Sequence, residues 1–88
     1  MRALVTRQQP VRIVIVDDHE TLRRTLGLYL EQYEQFELVG EASSGREALE
    51  VCAQAAPDVV LMDILMPDMD GIDATRAIRQ EHPHVQEI

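Results

Sequence analysis

Aspartates stand directly after two short apolar runs of the sequence. Asp17 and Asp18 follow Val11–Val16, and Asp63 follows Val59–Met62. Carboxylates that converge repel one another unless a cation neutralises them. Mg²⁺ prefers oxygen ligands and is commonly held by one or two carboxylates together with phosphate oxygens. Because a carboxylate can also act as a nucleophile, these residues predict phosphoryl chemistry beside a divalent cation.

The same aspartates have a simpler interpretation as helix caps. An aspartate that follows a strand often caps the next helix. For Asp17 and Asp18 taken alone, capping and ion binding both remain open from the sequence. Capping accounts less well for the fact that each of two separate apolar runs is followed directly by an aspartate.

Hydrophobic periodicity predicts the elements that position these acids. The apolar runs 11–16 and 59–62 predict buried strands. Leu22, Leu26 and Tyr29 recur at helical spacing and predict a helix over about 20–33, beginning near Asp18 or His19.

The remaining segments predict further strands and helices. Residues 36–42 alternate and predict an edge strand. Its apolar face would carry Phe36, Leu38, Gly40 and Ala42, and its wet face Glu37 and Glu41, with Val39 out of pattern. After a turn and cap at 43–45, helices are predicted over 46–54 and 72–80, and 85–88 reads as the start of another strand.

Alternating strands and helices predict an α/β fold with a parallel sheet and right-handed crossovers. In such open sheets, ligands bind beyond the carboxyl ends of the strands. Neighbouring strands lie about 4.8 Å apart, so Asp17, Asp18 and Asp63 would converge if their strands are adjacent.

Composition limits the classes of function. The chain has 88 residues, room for one small domain, and a net charge of −8, which argues against direct contact with nucleic acid or an anionic membrane. No apolar run approaches the roughly 18 residues of a membrane span. A single cysteine fits a reducing compartment, so we expect a cytoplasmic protein, with residues 1–10 as a flexible leader.

Three motifs resemble the receiver domain of two-component response regulators. They are V-D-D-H at 16–19, D-V-V-L-M-D at 58–63 and M-P-x-M-D-G at 66–71. The resemblance covers 11–88, and residues 39–49 are similar to the NarL/LuxR type, whose receivers precede a helix-turn-helix DNA-binding domain. It implies a flavodoxin-like parallel sheet of order 2-1-3 with the start of strand 4, and with strands 4–5 and helices 4–5 largely missing.

The resemblance also implies a role for individual residues. Asp63 would be the phosphoacceptor and would contact Mg²⁺. Asp18 would ligate Mg²⁺ directly, Asp17 would act through a bound water, and the backbone carbonyl of Leu65 would supply a further oxygen.

Other implications concern the loop and the partners. Pro67 and Gly71 would shape the loop after Asp63, because proline fixes φ and glycine allows a tight turn. A histidine kinase would supply the phosphoryl group, so the chain would be a phosphoacceptor and not itself an enzyme. A DNA-binding output domain would lie outside this segment.

The sequence departs from the family pattern at its end. Complete receivers carry a hydroxyl residue after the fourth strand and a lysine after the fifth, and this sequence contains no lysine. The alternative function is therefore a fragment that cannot be phosphorylated and acts as a dimerisation or interaction module. Open strand edges and bare apolar area would favour a homodimer or a strand-exchanged dimer.

Two rival motifs fit less well. Asp68 to Ile72 resembles the D-x-D-G motif of haloacid-dehalogenase phosphatases, with Asp68 as nucleophile, but the apolar strand ends earlier, at Asp63. An EF-hand would need oxygen donors where Met66 and Ala77 stand.

Overall fold

Strands and helices alternate along residues 9–63 and 71–87, the part of the chain that the computed structural model describes. The elements in order are β1 (Val11–Val16), α1 (Glu20–Glu31), β2 (Phe36–Ala42), α2 (Gly45–Ala55), β3 (Val59–Met62), α3 (Gly71–Glu81) and β4 (Gln86–Glu87). Every element predicted from the sequence is present. Helix α1 ends at Glu31, slightly before the predicted end.

The four strands form one parallel sheet in the order β2-β1-β3-β4. This order confirms the flavodoxin-like arrangement 2-1-3, with β4 beside β3. Strands β1 and β3 are in register, with Val14 beside Val60 and Val16 beside Met62. The residues that follow these strands therefore emerge side by side at one edge of the sheet.

Helices α2 and α3 pack on one face of the sheet. Their buried residues Cys52 and Ile78 join Val14, Val16 and Val60 in one hydrophobic cluster. The Cys52 thiol is fully buried in this cluster.

Helix α1 covers the opposite face. Gly27 lies against β2, where an added Cβ would come within 3.0 Å of Leu38 Cδ2. This close approach favours glycine at the contact. The helical spacing that predicted α1 does not mark a fully buried face, because Leu22 and Tyr29 are 48% and 55% exposed.

The prediction that alternate residues of β2 share one face is wrong. The pairing of β1 with β2 shifts between Ile13, opposite Leu38, and Val14, opposite Gly40, so that Val39 is the extra residue of a bulge. Leu38 contacts α1, whereas Gly40 lies against α2. Leu38 before the bulge and Gly40 after it therefore lie on opposite faces of the sheet, although they are two residues apart.

The two glutamates of β2 also lie on opposite faces of the sheet. Glu37 pairs with Arg12 at 3.7 Å, and Arg12 also donates to the Ala55 carbonyl at the end of α2. Glu41 instead pairs with Arg23 of α1 at 3.0 Å. Glu37 and Glu41 therefore lie on opposite faces, and not together on one wet face as alternation predicted.

The predicted cap of helix α2 is present at Ser44, and the helix spans Gly45–Ala55, one residue more at each end than predicted. The Ser44 side chain accepts a hydrogen bond from the Glu47 N–H at 3.1 Å, and Glu47 Oε1 accepts one from the Ser43 N–H at 2.8 Å. These bonds satisfy N–H groups that have no partner inside the helix. At the other end, Ala56 adopts a left-handed φ of 49° and its N–H donates to the Cys52 carbonyl.

Candidate functional site at the carboxyl edge of the sheet

Backbone hydrogen bonds bring the ends of three strands together. The Asp63 N–H donates to the Val16 carbonyl at 2.9 Å, and the Asp17 N–H donates to the Ala42 carbonyl at 3.0 Å. The ladder therefore continues one residue past the assigned strands. It fixes the main chain of Asp17 and Asp63 before their side chains are considered.

The three aspartates predicted from the sequence lie together. Ligand atoms of Asp17, Asp18, Asp63 and also His19 all lie within 4.8 Å of one another. The Asp17 side chain is 10% exposed, whereas that of Asp18 is 30% exposed. The cluster thus has a buried wall and a side that solvent reaches.

A turn after β1 orients the buried aspartate. Asp17 Oδ1 accepts a hydrogen bond from the His19 N–H at 2.8 Å, which closes a tight turn. The N-cap of α1 is His19, and its side chain makes no capping hydrogen bond. The simple interpretation of Asp17 and Asp18 as the caps of this helix is therefore wrong.

The His19 imidazole interacts with both neighbouring carboxylates. Its Nδ1 lies 2.9 Å from Asp17 Oδ1 and 3.1 Å from Asp18 Oδ1. The hydrogen bond to Asp17 raises the pKa of His19 above its usual value of 6.5, and the negative charge of Asp18 raises it further. The imidazolium form partly neutralises the acidic cluster.

Arg23 fastens this turn to the rest of the fold. Its Nη1 donates to the Asp17 carbonyl oxygen at 2.6 Å, and its Nε donates to Glu41 Oε1 at 3.0 Å. The Arg23 side chain is only 16% exposed. One guanidinium thus links the β1–α1 turn, helix α1 and strand β2.

An open cleft adjoins the acids. It has a volume of about 240 Å³, and it is bounded by Leu26 of α1 and by the ends of β1 and β3, including Asp17 and Asp63. The arrangement offers oxygen ligands for a hard cation beside a carboxylate that an incoming group can reach.

Comparison with known proteins identifies the family. The sequence model of the protein family "Response regulator receiver domain" matches residues 13–88. This chain belongs to the response regulator receiver family.

Curated relatives of this receiver include VraR proteins. Response regulator protein VraR of Staphylococcus saprophyticus is 38% identical over 79 residues, which are 90% of this chain and 38% of the relative. VraR of Staphylococcus aureus is 41% identical over 76 residues, which are 86% of this chain and 36% of that protein. The receiver chain thus spans about 38% of the length of the first of these relatives.

Solved receivers have the same fold. The response regulator domain of Thermotoga maritima CheB matches with a TM-score of 0.84 at 32% identity, over 89% of this chain and 57% of that one. The receiver domain of the putative regulator NarL from Mycobacterium tuberculosis matches with a TM-score of 0.83 at 35% identity, over 90% and 64%. A LuxR-family regulator from Aurantimonas sp. SI85-9A1 matches with a TM-score of 0.83 at 35% identity, over 89% of this chain and 56% of that one. Together with the NarL match, it confirms the NarL/LuxR type.

Several residues assigned from the sequence lie outside the part that the structure describes. They are Leu65, expected to offer a carbonyl oxygen, Pro67 in the same loop, and Asp68 of the rival phosphatase motif. Gly71, expected to shape the loop, is the first residue of α3. The roles of all four stay predictions.

Sequence reasoning missed two residues of the receiver's site. His19 was quoted in the V-D-D-H motif and near the start of a helix, but it was given no role in the site, although it follows the two acids directly. Arg23 lies one helical turn after His19, a spacing that could have suggested contact with the preceding turn. Its second partner, Glu41, comes from another strand, and local spacing carries no signal for it.

Hydropathy gives one further finding. Among the helices of the described residues, none is both long enough and apolar enough to cross a membrane.

Proposed function

We propose that this receiver accepts a phosphoryl group on Asp63 from a histidine kinase. The observation that carries the proposal is the position of Asp63, after β3 and within 4.8 Å of ligand atoms of Asp17 and Asp18. Asp63 lines an open cleft, which supports the access of a phosphoryl donor to its carboxylate. The receiver would extend from the first residue of β1, Val11, with residues 1–10 as a leader.

The transfer replaces one phosphorus bond with another. A carboxylate oxygen of Asp63 attacks phosphorus, and the bond from phosphorus to the donor's imidazole nitrogen breaks. The electron pair of that bond stays on the nitrogen, which takes up a proton. The product is an acyl phosphate on Asp63, and no oxidant or further reactant is needed.

The donor groups at this edge fit Mg²⁺, which receivers use at their acidic pocket. We assign direct contact to Asp18 and Asp63, contact through water to Asp17, and a backbone oxygen to Leu65. Carboxylate oxygens suit Mg²⁺, which keeps several waters in its shell. When bound, the ion would neutralise charge on the phosphoryl oxygens.

The neighbouring residues hold these acids in place. The His19 N–H fixes one oxygen of Asp17, and Arg23 fixes the Asp17 carbonyl. Positions held before the donor arrives lower the entropic cost of bringing the reacting groups together. We therefore assign Arg23 a positioning role.

The output of the full-length protein would be control of transcription. RcsB of Salmonella enterica serovar Typhimurium, which matches with a TM-score of 0.79 at 26% identity, has been solved bound to the promoter rprA. By this likeness, phosphorylation of the receiver would regulate a DNA-binding region in the longer protein.

Self-association would accompany this role. Helix α1 exposes the large apolar side chains Leu22, Leu28 and Tyr29. Exposed apolar groups favour contact with a partner, and we propose a second copy of this chain, as a homodimer or with exchanged strands. Sedimentation velocity should show a dimer at micromolar concentration, and a monomer throughout the concentration range would contradict this proposal.

Chemical mapping of the phosphoryl group tests the proposed acceptor. The chain is incubated with a small-molecule phosphodonor and Mg²⁺, and hydroxylamine then converts the acyl phosphate to a hydroxamate that peptide mass spectrometry locates. We expect the hydroxamate on Asp63, and no hydroxamate when a chelator has removed Mg²⁺. A hydroxamate on another residue, or no hydroxamate on a folded chain, would contradict the proposal, and the second result would favour the interaction module.

A further inference from the structure

His19 adds a nitrogen donor to a set of oxygen ligands. Its Nδ1 lies 2.9 Å from Asp17 Oδ1 and 3.1 Å from Asp18 Oδ1. The imidazole side chain is 70% exposed, so an ion that reaches the acids from solvent also reaches this nitrogen. The backbone of His19 is held by the same carboxylate, through its N–H.

These separations are hydrogen-bond distances, and they also equal the spacing of neighbouring ligands on one metal ion, which would have to displace the shared proton. An octahedral ion with ligands at about 2.1 Å places adjacent ligand atoms about 3.0 Å apart, which is √2 times the bond length. The two distances from His19 Nδ1 to the carboxylate oxygens match this value. One ion could therefore contact the imidazole nitrogen together with a carboxylate oxygen after a small adjustment of the side chains.

We propose that His19 is a direct nitrogen ligand that shifts the ion preference of this site from Mg²⁺ towards first-row transition ions. The inference rests on the proposed function, because Asp18 and Asp63 would hold the ion in both. Imidazole suits Ni²⁺, Zn²⁺ and Fe²⁺, whereas carboxylate and water suit Mg²⁺. Removal of His19 should therefore weaken the binding of a transition ion much more than that of Mg²⁺.

Calorimetric titration of Ni²⁺ and Mg²⁺ tests the proposal without any phosphodonor. The variants are the unaltered chain, His19→Gln, and His84→Gln as a control that removes an exposed histidine outside the cluster. Titrations at two or more pH values, from about 7 upwards, measure how far protons compete with the ion for the imidazole. Circular dichroism confirms that each variant is folded.

We expect His19→Gln to weaken Ni²⁺ binding roughly tenfold or more, because even the loss of a hydrogen-bond partner of a ligand typically weakens binding by about 10- to 100-fold. Mg²⁺ binding should change much less than Ni²⁺ binding, and His84→Gln should leave both affinities unchanged. Equal Ni²⁺ affinity in the unaltered chain and His19→Gln, or tighter binding in the variant, overturns the inference. Failure of the unaltered chain to bind Mg²⁺ would instead count against the metal site of the proposed function.

Discussion

The amino and carboxyl ends of β1 and β3 both carry charged residues, and the two ends use them differently. At the amino end, the Arg12 N–H donates to Asp58 Oδ2 at 2.9 Å, and the Asp58 N–H donates to the Arg12 carbonyl at 2.8 Å. Arg12 Nη2 also donates to the Ala55 carbonyl at 2.6 Å. At the carboxyl end, Asp17, Asp18 and Asp63 gather around the exposed imidazole of His19.

The difference separates structural charges from reactive ones within the same pair of strands. At the amino end, opposite charges and backbone groups satisfy one another and join β1, β3 and the end of α2. At the carboxyl end, like charges raise the energy of the fold unless a cation joins them. We infer that the charges at the amino end stabilise the sheet, and that those at the carboxyl end bind an ion and a phosphoryl group.

The largest effect is expected for Arg23→Ala, which removes the bond to the Asp17 carbonyl. Because the side chain is mostly buried and makes two hydrogen bonds, the free energy of unfolding should fall by about 1–3 kcal/mol. Mg²⁺ affinity should fall roughly tenfold, as for the loss of other groups that orient a ligand. Calorimetry and urea unfolding measure the two effects.

Arg24→Ala is the matched control for Arg23→Ala. Arg24 lies next in the chain and makes an exposed pair with Glu20 at 3.2 Å. Its loss should change stability by less than about 0.5 kcal/mol. If both variants weaken Mg²⁺ binding equally, Arg23 has no special positioning role.

A smaller effect is expected for Arg12→Ala at the amino end. The change removes the side-chain bond to the Ala55 carbonyl, while the backbone bond to Asp58 remains. The free energy of unfolding should fall by about 1–2 kcal/mol, since the arginine is partly exposed. Mg²⁺ affinity should not change, and a clear loss of that affinity would break the distinction between the two ends.

The smallest effect is a pH dependence that arises from His19. Its pKa is raised in the folded state above 6.5 by the hydrogen bond to Asp17 and the charge of Asp18. This interaction therefore stabilises the metal-free fold fully below pH 6.5 and is lost as the pH rises through the raised pKa. The stability difference between the unaltered chain and His19→Gln should therefore shrink as the pH rises above about 6.5 and through the raised pKa. A difference that is constant with pH would contradict this assignment.

The sequence predicts the order of the elements because the signals for them are local. Apolar runs mark β1 and β3, helical spacing marks the helices, and the acids that end the runs mark Asp17 and Asp63. The convergence of these acids follows from the parallel order of the strands, which the family resemblance supplied. Local pattern and fold topology together were therefore sufficient for the acidic part of the site.

The bulge in β2 and the link made by Arg23 were not predictable from local pattern. The bulge depends on how the helices pack, since a Cβ on Gly40 would lie only 2.6 Å from Val51 Cγ1 of α2. Arg23 and Glu41 are 18 residues apart and meet only after β2 joins the sheet. Both features arise from tertiary contacts, for which periodicity carries no signal.

The most direct test of the difference between the two ends is phosphoryl uptake by Asp63→Asn and Asp58→Asn, measured side by side as intact mass after incubation with Mg²⁺ and a small-molecule phosphodonor. Both changes remove one carboxylate beside β3 with little change in volume, and each variant is first shown to be folded. We expect Asp58→Asn to take up the phosphoryl group as the unaltered chain does, and Asp63→Asn to take up none. Uptake by Asp63→Asn, or its loss in folded Asp58→Asn, would contradict the account.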